Sequence, residues 1–188
     1  VLDPAVAAMA DRPAVIFVSG LTGTALYDRE ARRVTWGDAR STFLPRDRGR
    51  AMARPIGGAE DRVEVREPIL DMSLRPFYRY EVYRPIVTTL EANGFQRGRD
   101  LFLFGYDWRQ SNVESARALA RLVDDVGKGR PVVLICQSNG GYLCRWAVRA
   151  GDVSLDEAER GVARLPRARV EALVFLGTTH AGSIRILR

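Results

Sequence analysis

Ser138 is the residue of this sequence best suited to act as a nucleophile. It follows four apolar, mostly β-branched residues, Val132 to Ile135, and sits in the turn Cys136-Gln137-Ser138-Asn139-Gly140. Helical periodicity then runs to about Ala150. A serine on a strained strand-to-helix turn lifts its Oγ above the sheet, and the N–H of the next residue, Asn139, points where an oxyanion forms. Such a turn needs small residues two before and two after the serine, because strand and helix backbones nearly touch there. Gly140 meets that need, and Cys136 is small enough. The chemistry is acyl transfer through a serine ester; the competing reading is an ordinary strand-to-helix turn.

Other groups could serve that chemistry. Ala14-Val-Ile-Phe-Val18 reads as a buried strand ending in Ser19-Gly20-Leu21-Thr22-Gly23, where the main-chain N–H of Leu21 or Thr22 can supply a second oxyanion donor. The only histidine is His180. It follows a strand and could serve Ser138 as a base, or orient its own loop by a hydrogen bond. Asp107 has the same two readings: a triad acid, or a structural carboxylate paired with Arg109 or nearby N–H groups. Asp152 and Asp156 lie at a helix end and a cap, where solvated acids are expected. No Cys/His cluster, P-loop or dinucleotide fingerprint is present, so no metal or organic cofactor is expected.

The elements that must position these groups alternate. After the first strand, Pro85 opens a helix that stops at Gly94; Asp100 to Phe104 is a second strand, leading into Gly105-Tyr106-Asp107-Trp108-Arg109. Ser111 and Glu114 are spaced as a capping box, and Ala116, Leu119, Ala120, Val123 and Val126 form an apolar helical stripe ended by Gly127 and Gly129. The Ser138 strand and helix follow, then a short helix capped by Ser154 and Glu157 and running to about Ala163. Val170 to Leu176 is the last strand. Strand–helix alternation of this kind predicts an α/β fold with a parallel sheet and its chemistry at the strands' carboxyl ends. Residues 1–12 read as an Ala-rich lead-in, with a frayed helix as one reading. Residues 27–74 are the least regular stretch. Trp36, Phe43 and Leu44 there suit a lid or a membrane-touching flap, and suit equally a surface excursion with its aromatics tucked in.

At 188 residues, 46% hydrophobic and 28% charged, the chain predicts one globular domain with no membrane span. The net charge of +6 is carried almost wholly by scattered arginines, Lys128 being the only lysine. No nucleic-acid motif accompanies them, and a diffuse attraction to anionic lipid headgroups is the partner they could serve. Cys136 and Cys144 are expected to be free, buried thiols, since a bridge would have to span the elbow itself. That fits a reducing compartment, or a secreted protein that needs no staples. No signal-peptide pattern follows Val1, and the location stays open with the cytoplasm favoured.

Three stretches carry a resemblance: Val15 to Gly23, Tyr106-Asp107-Trp108-Arg109, and Gly177-Thr178-Thr179-His180-Ala181-Gly182-Ser183, with the elbow before the last. In that order the chain resembles the lecithin:cholesterol acyltransferase family of α/β-hydrolases over nearly its whole length. The last loop is similar to the family's G-T-P-H-x-G-S, with Thr179 in place of proline. The resemblance implies an α/β-hydrolase-type, mostly parallel sheet with flanking helices, and a single domain over residues 1–188 with a lid-like excursion at 27–74. It implies an O-acyltransferase, lipase or esterase acting on lipid esters, with Ser138 as nucleophile and Asn139 and the Leu21–Thr22 loop as oxyanion donors. It makes the Trp36 region a lid or lipid-binding segment.

The chain departs from the family pattern at Cys136 and Gln137, where Gly and His are common, and at Asn139. Trp36 lacks the cysteines that staple the lid in secreted animal members. In this fold the acid and the histidine follow later strands. They are expected beyond residue 188, with the remaining C-terminal strands, so these residues alone are expected to turn over little substrate. Two other readings stand beside the enzyme: a non-catalytic relative that binds lipid or a partner, and a phosphate-binding protein using the Ser19–Gly23 loop, which lacks the lysine a P-loop needs.

Overall fold

The computed structural model describes residues 12–45, 49–50, 52–53, 55–58, 61–74 and 78–182. The expected lead-in helix, and Ser183 at the end of the last loop, lie outside them. Four parallel strands form the main sheet in the order β7 (Leu101–Phe104), β1 (Ala14–Val18), β8 (Val132–Gln137), β9 (Val170–Leu176). β1 lies between β7 and β8, and all five of its side chains are buried. That explains its unbroken apolar run: a strand covered on both faces has no solvent side to alternate with.

Alternation across the sheet divides the core into two layers. Ala14, Ile16 and Val18 of β1 and Val132, Leu134 and Cys136 of β8 face two helices, α3 (Asn112–Val126) and α4 (Gly140–Arg149). From α3 come Ala116, Leu119, Ala120 and Val123, and from α4 Leu143, Cys144 and Ala147. On the other face Val15, Leu101, Val133 and Ile135 meet Val87 of α2 (Arg84–Ala92). The expected helical stripe is thus the packed one. The expected capping box at Ser111 is half formed: its Oγ accepts from Val113 N–H, while Glu114 pairs with Arg117 instead of returning to the cap. The box at Ser154 and Glu157 is complete, but its helix, α5 (Leu155–Glu159), stops short of the expected end near Ala163. Asp152, expected to be solvated, bonds Arg117 and Arg121.

The stretch from residue 27 to 74 is more regular than its sequence suggests. β2 (Thr24–Asp28), β3 (Arg33–Trp36) and β4 (Val63–Pro68) form an antiparallel sheet in the order β3-β2-β4, and β5 (Asp71–Leu74) pairs with β6 (Tyr78–Glu81). A one-turn helix, α1 (Ala39–Phe43), is capped by Asp38. β2 keeps a period-two burial pattern, but its buried positions include Thr24 and Asp28 beside Leu26, so no apolar alternation marks the strand in the sequence.

Cys136 and Cys144 are joined in a disulfide and fully buried, which corrects the expectation of free thiols. Cys144 stands one helical turn beyond Gly140, on the face that α4 lays against the sheet. The close approach of α4 there brings the two Cα atoms to 6.5 Å, inside the range a disulfide spans. Neither Cys136 nor Cys144 should therefore react with Ellman's reagent in the folded protein. Replacing both cysteines by alanine should cost about 2–3 kcal/mol for so short a loop, read from the urea midpoint; reactive thiols in the folded protein would refute the bridge.

Asp71 on β5 receives the guanidinium of Arg84, the first residue of α2, and that of Arg79. The bonds from Arg84 are the main reason its carboxyl is lowered to about 2. A carboxyl depressed on folding stabilises the native state above its ordinary value near 3.9 and loses that contribution as pH falls toward 2. Stability should drop between roughly pH 4 and pH 2, and Asp71→Asn should flatten that part of the curve in acid-denaturation measurements.

Candidate active site

Ser138 directly follows β8 and has φ +49°, one of only three positive-φ residues other than glycine among the described residues. A side chain in this left-handed region costs energy, and the surroundings must impose it. They do so from both sides. Ser138 N–H donates to the Leu176 carbonyl of β9 at 2.9 Å, and its own carbonyl accepts from Gly141 N–H at 3.0 Å. Asn139 returns to helical angles and starts α4.

Gly140 lets the helix begin there. A Cβ on it would stand 2.6 Å from the Ser19 carbonyl oxygen and 2.7 Å from that of Val18. The loop after β1 is equally close. A Cβ on Gly20 would fall 3.0 Å from Ser138 Cβ and 2.2 Å from Gln137 Oε1. The structure thus brings the Ser19–Gly23 loop against the serine. Thr22 has φ +61°, and the N–H groups of Leu21, Thr22 and Asn139 donate to no backbone acceptor among the described residues.

The loop is held by its neighbours. Ser19 Oγ and Thr24 Oγ1 share a buried hydrogen bond at 3.0 Å, and Thr24 Oγ1 accepts from Tyr106 N–H. Trp36 Nε1 donates to the Thr22 carbonyl at 2.8 Å, and Trp108 Nε1 to that of Thr24 at 3.2 Å. The two indoles meet edge to face at 5.1 Å.

Asn139 is fixed through its side chain. Its Nδ2 donates to the Tyr106 hydroxyl at 3.1 Å and to Asn112 Oδ1 at 2.9 Å. Burial pushes the Tyr106 phenol up to about 12, so it stays a neutral hydroxyl. On the other side of the serine, Gln137 Oε1 accepts from the Tyr83 hydroxyl at 3.0 Å, and that hydroxyl accepts from Gly20 N–H at 3.1 Å. Neither tyrosine hydroxyl was legible as a site group in the sequence. Tyr83 lies 54 residues before Gln137 and is brought to it only by the way α2 packs.

His180 and Asp107 are both engaged with arginines. His180 Nδ1 bonds Arg145 Nη1 at 3.1 Å, and its ring meets Phe175 edge on. Asp107 accepts from Arg109 N–H and from its guanidinium, which also reaches Asp61. All three of these charged side chains are nearly buried, and Asp107 is the main cause that raises the Arg109 value. The cluster ties the 27–74 excursion to the loop after β7. No group of three or more His, Cys, Asp or Glu side chains that could hold a metal occurs among the described residues.

Because both atoms facing a Gly140 Cβ are main-chain oxygens, the clash cannot be relieved by a rotamer. Gly140→Ala should lower stability by about 1–3 kcal/mol or more, measured by thermal melting; an unchanged melt would mean that α4 stands farther from β1.

No curated protein matches the chain. The family model described as lecithin:cholesterol acyltransferase matches residues 68–188, which hold α2, β7, the Tyr106–Arg109 segment, the elbow and the His180 loop. Activity of that family's kind is acyl transfer or ester hydrolysis on lipids. The match takes in well over half of the residues, and the chain belongs to the lecithin:cholesterol acyltransferase family.

Proposed function

We propose that this chain carries the nucleophile and oxyanion site of a serine acyltransferase or lipid esterase built on an α/β-hydrolase sheet. The observation that carries this reading is the positive φ of Ser138 at the end of β8, with Gly20 packed against it. Ser138 Oγ attacks the ester carbonyl and gives its proton to a histidine base. Asn139 N–H and the N–H of Leu21 or Thr22 hold the negative charge that develops on the carbonyl oxygen. The tetrahedral intermediate expels the alcohol, which takes the proton from the histidine, and leaves an acyl-serine. Water or a second alcohol then attacks and releases the acyl group. The base is a histidine other than His180, whose Nδ1 is committed to Arg145. Asp107 keeps the loop after β7 in shape through Arg109.

The substrate is a lipid ester. Phe43 and Leu44 at the end of α1 are 68% and 74% exposed, the most exposed large apolar side chains among the described residues. They suit contact with an acyl chain or lipid surface, and Arg40 on the same helix suits an anionic headgroup. Structural disulfides form and persist mainly in oxidising settings, so the natural setting proposed is an oxidising one rather than the cytoplasm.

A second reading, a non-catalytic relative that binds lipid or a partner, is favoured by one observation: His180 and Asp107 both bond arginines. One experiment separates the two. A fluorophosphonate probe applied to the protein that carries these residues should modify the peptide containing Ser138, and Ser138→Ala should abolish the adduct. The same substitution should lower ester turnover by at least about 10⁴-fold. Absence of an adduct, with no ester turnover by the unsubstituted protein, would leave the binding protein.

A further inference from the structure

We infer that Tyr83 is a positioning residue for the oxyanion site: its hydroxyl bridges the loop after β1 to the elbow and decides which main-chain donor of that loop faces the serine. The inference rests on the reading of Ser138 as nucleophile. One oxygen takes part in both contacts, accepting from Gly20 N–H at 3.1 Å and donating to Gln137 Oε1 at 3.0 Å. Gly20 N–H is thereby spent, which leaves the N–H groups of Leu21 and Thr22 as the loop's donors. The ring is clamped as well as the hydroxyl. It meets Phe17 of β1 edge on at 5.0 Å, and a Cβ on Gly23 would lie 2.4 Å from its oxygen. The backbone beside it is anchored by the bonds from Arg84 to Asp71. Gln137 follows as the matching half: a side-chain carbonyl next to the nucleophile is the acceptor that the hydroxyl of Tyr83, the residue capping α2, requires. Removing the hydroxyl strands Gly20 N–H beside the serine and frees the loop to rotate, which spoils a transition-state contact without touching bound substrate.

The test is steady-state hydrolysis of p-nitrophenyl butyrate by the protein that carries these residues, with a thermal melt of each variant. Tyr83→Phe keeps the ring packing and should lower kcat about 10–100-fold with KM within roughly a factor of two. Gln137→Ala removes the other end of the bridge and should cause a similar loss. The double variant should fall no more than about threefold below the worse single one, because both remove one coupled interaction. Tyr83→Phe with kcat within about threefold of wild type, or losses that multiply in the double variant, overturns the assignment. Ser138→Ala separates this failure from failure of the underlying reading: if it retains wild-type turnover, Ser138 is not the nucleophile. If it is inactive while Tyr83→Phe is not, only the role of Tyr83 is lost.

Discussion

Helix α4 comes onto the sheet at Gly140 so closely that a single added carbon would meet two carbonyl oxygens at the end of β1. The serine two residues earlier has no room to extend and none to begin the helix, and it turns through positive φ. Three other features follow from the same approach. The Leu176 carbonyl of β9 is brought to Ser138 N–H, Cys144 is brought to Cys136, and Gly20 is pressed against the serine's Cβ. The strain of the turn is thus offset by the central packing of the domain rather than by the turn's own contacts.

That dependence explains what could be read from the sequence. Val132 to Ile135, the small residue at 140 and the stripe from Ala116 to Val123 are local signals with one meaning, and the parallel sheet follows from their alternation. The disulfide had no local signal. Residues 136 and 144 are eight apart in sequence, and whether they meet depends on how near the helix lies to the strand. The capping box at Ser111 failed for a related reason: Arg117, three residues beyond Glu114, competes for its carboxylate. The strands between residues 24 and 81 were hidden by their short length and by polar or charged residues within them, such as Thr24, Asp28, Glu64 and Arg66.

Around Ser138 the division is similar. The serine, Asn139, and the Leu21–Thr22 loop were legible because each sits at a strand end in a recognisable turn. The groups that hold them were not. Tyr83, Tyr106, Asn112 and Gln137 act through hydroxyl and amide groups spread over more than fifty residues, and nothing in their spacing marks them as one network. Both residues that flank Ser138 are bonded to a tyrosine hydroxyl, one from the residue that caps α2 and one from the loop after β7. Buried hydroxyls suit this use, since they stay neutral, donate and accept at once, and lose little freedom on a rigid ring.

The excursion meets the loop after β1 at Trp36 and again at Ile69, whose N–H donates to the Gly23 carbonyl at 2.8 Å. Trp36, the last residue of β3, donates to the Thr22 carbonyl and packs on Trp108, and only Gly37 and Asp38 separate it from α1 with its exposed Phe43. Arg109 secures the far end of the same segment by reaching Asp61 as well as Asp107. A buried guanidinium shared between two carboxylates leaves little freedom for independent movement there. Displacement of α1 therefore has a mechanical route to the loop after β1 through Trp36, while Arg109 fixes the far end of the segment. The segment that carries the exposed end of α1 and the loop after β1 are in this sense one unit, joined by the Trp36 indole N–H and the Ile69 main-chain N–H.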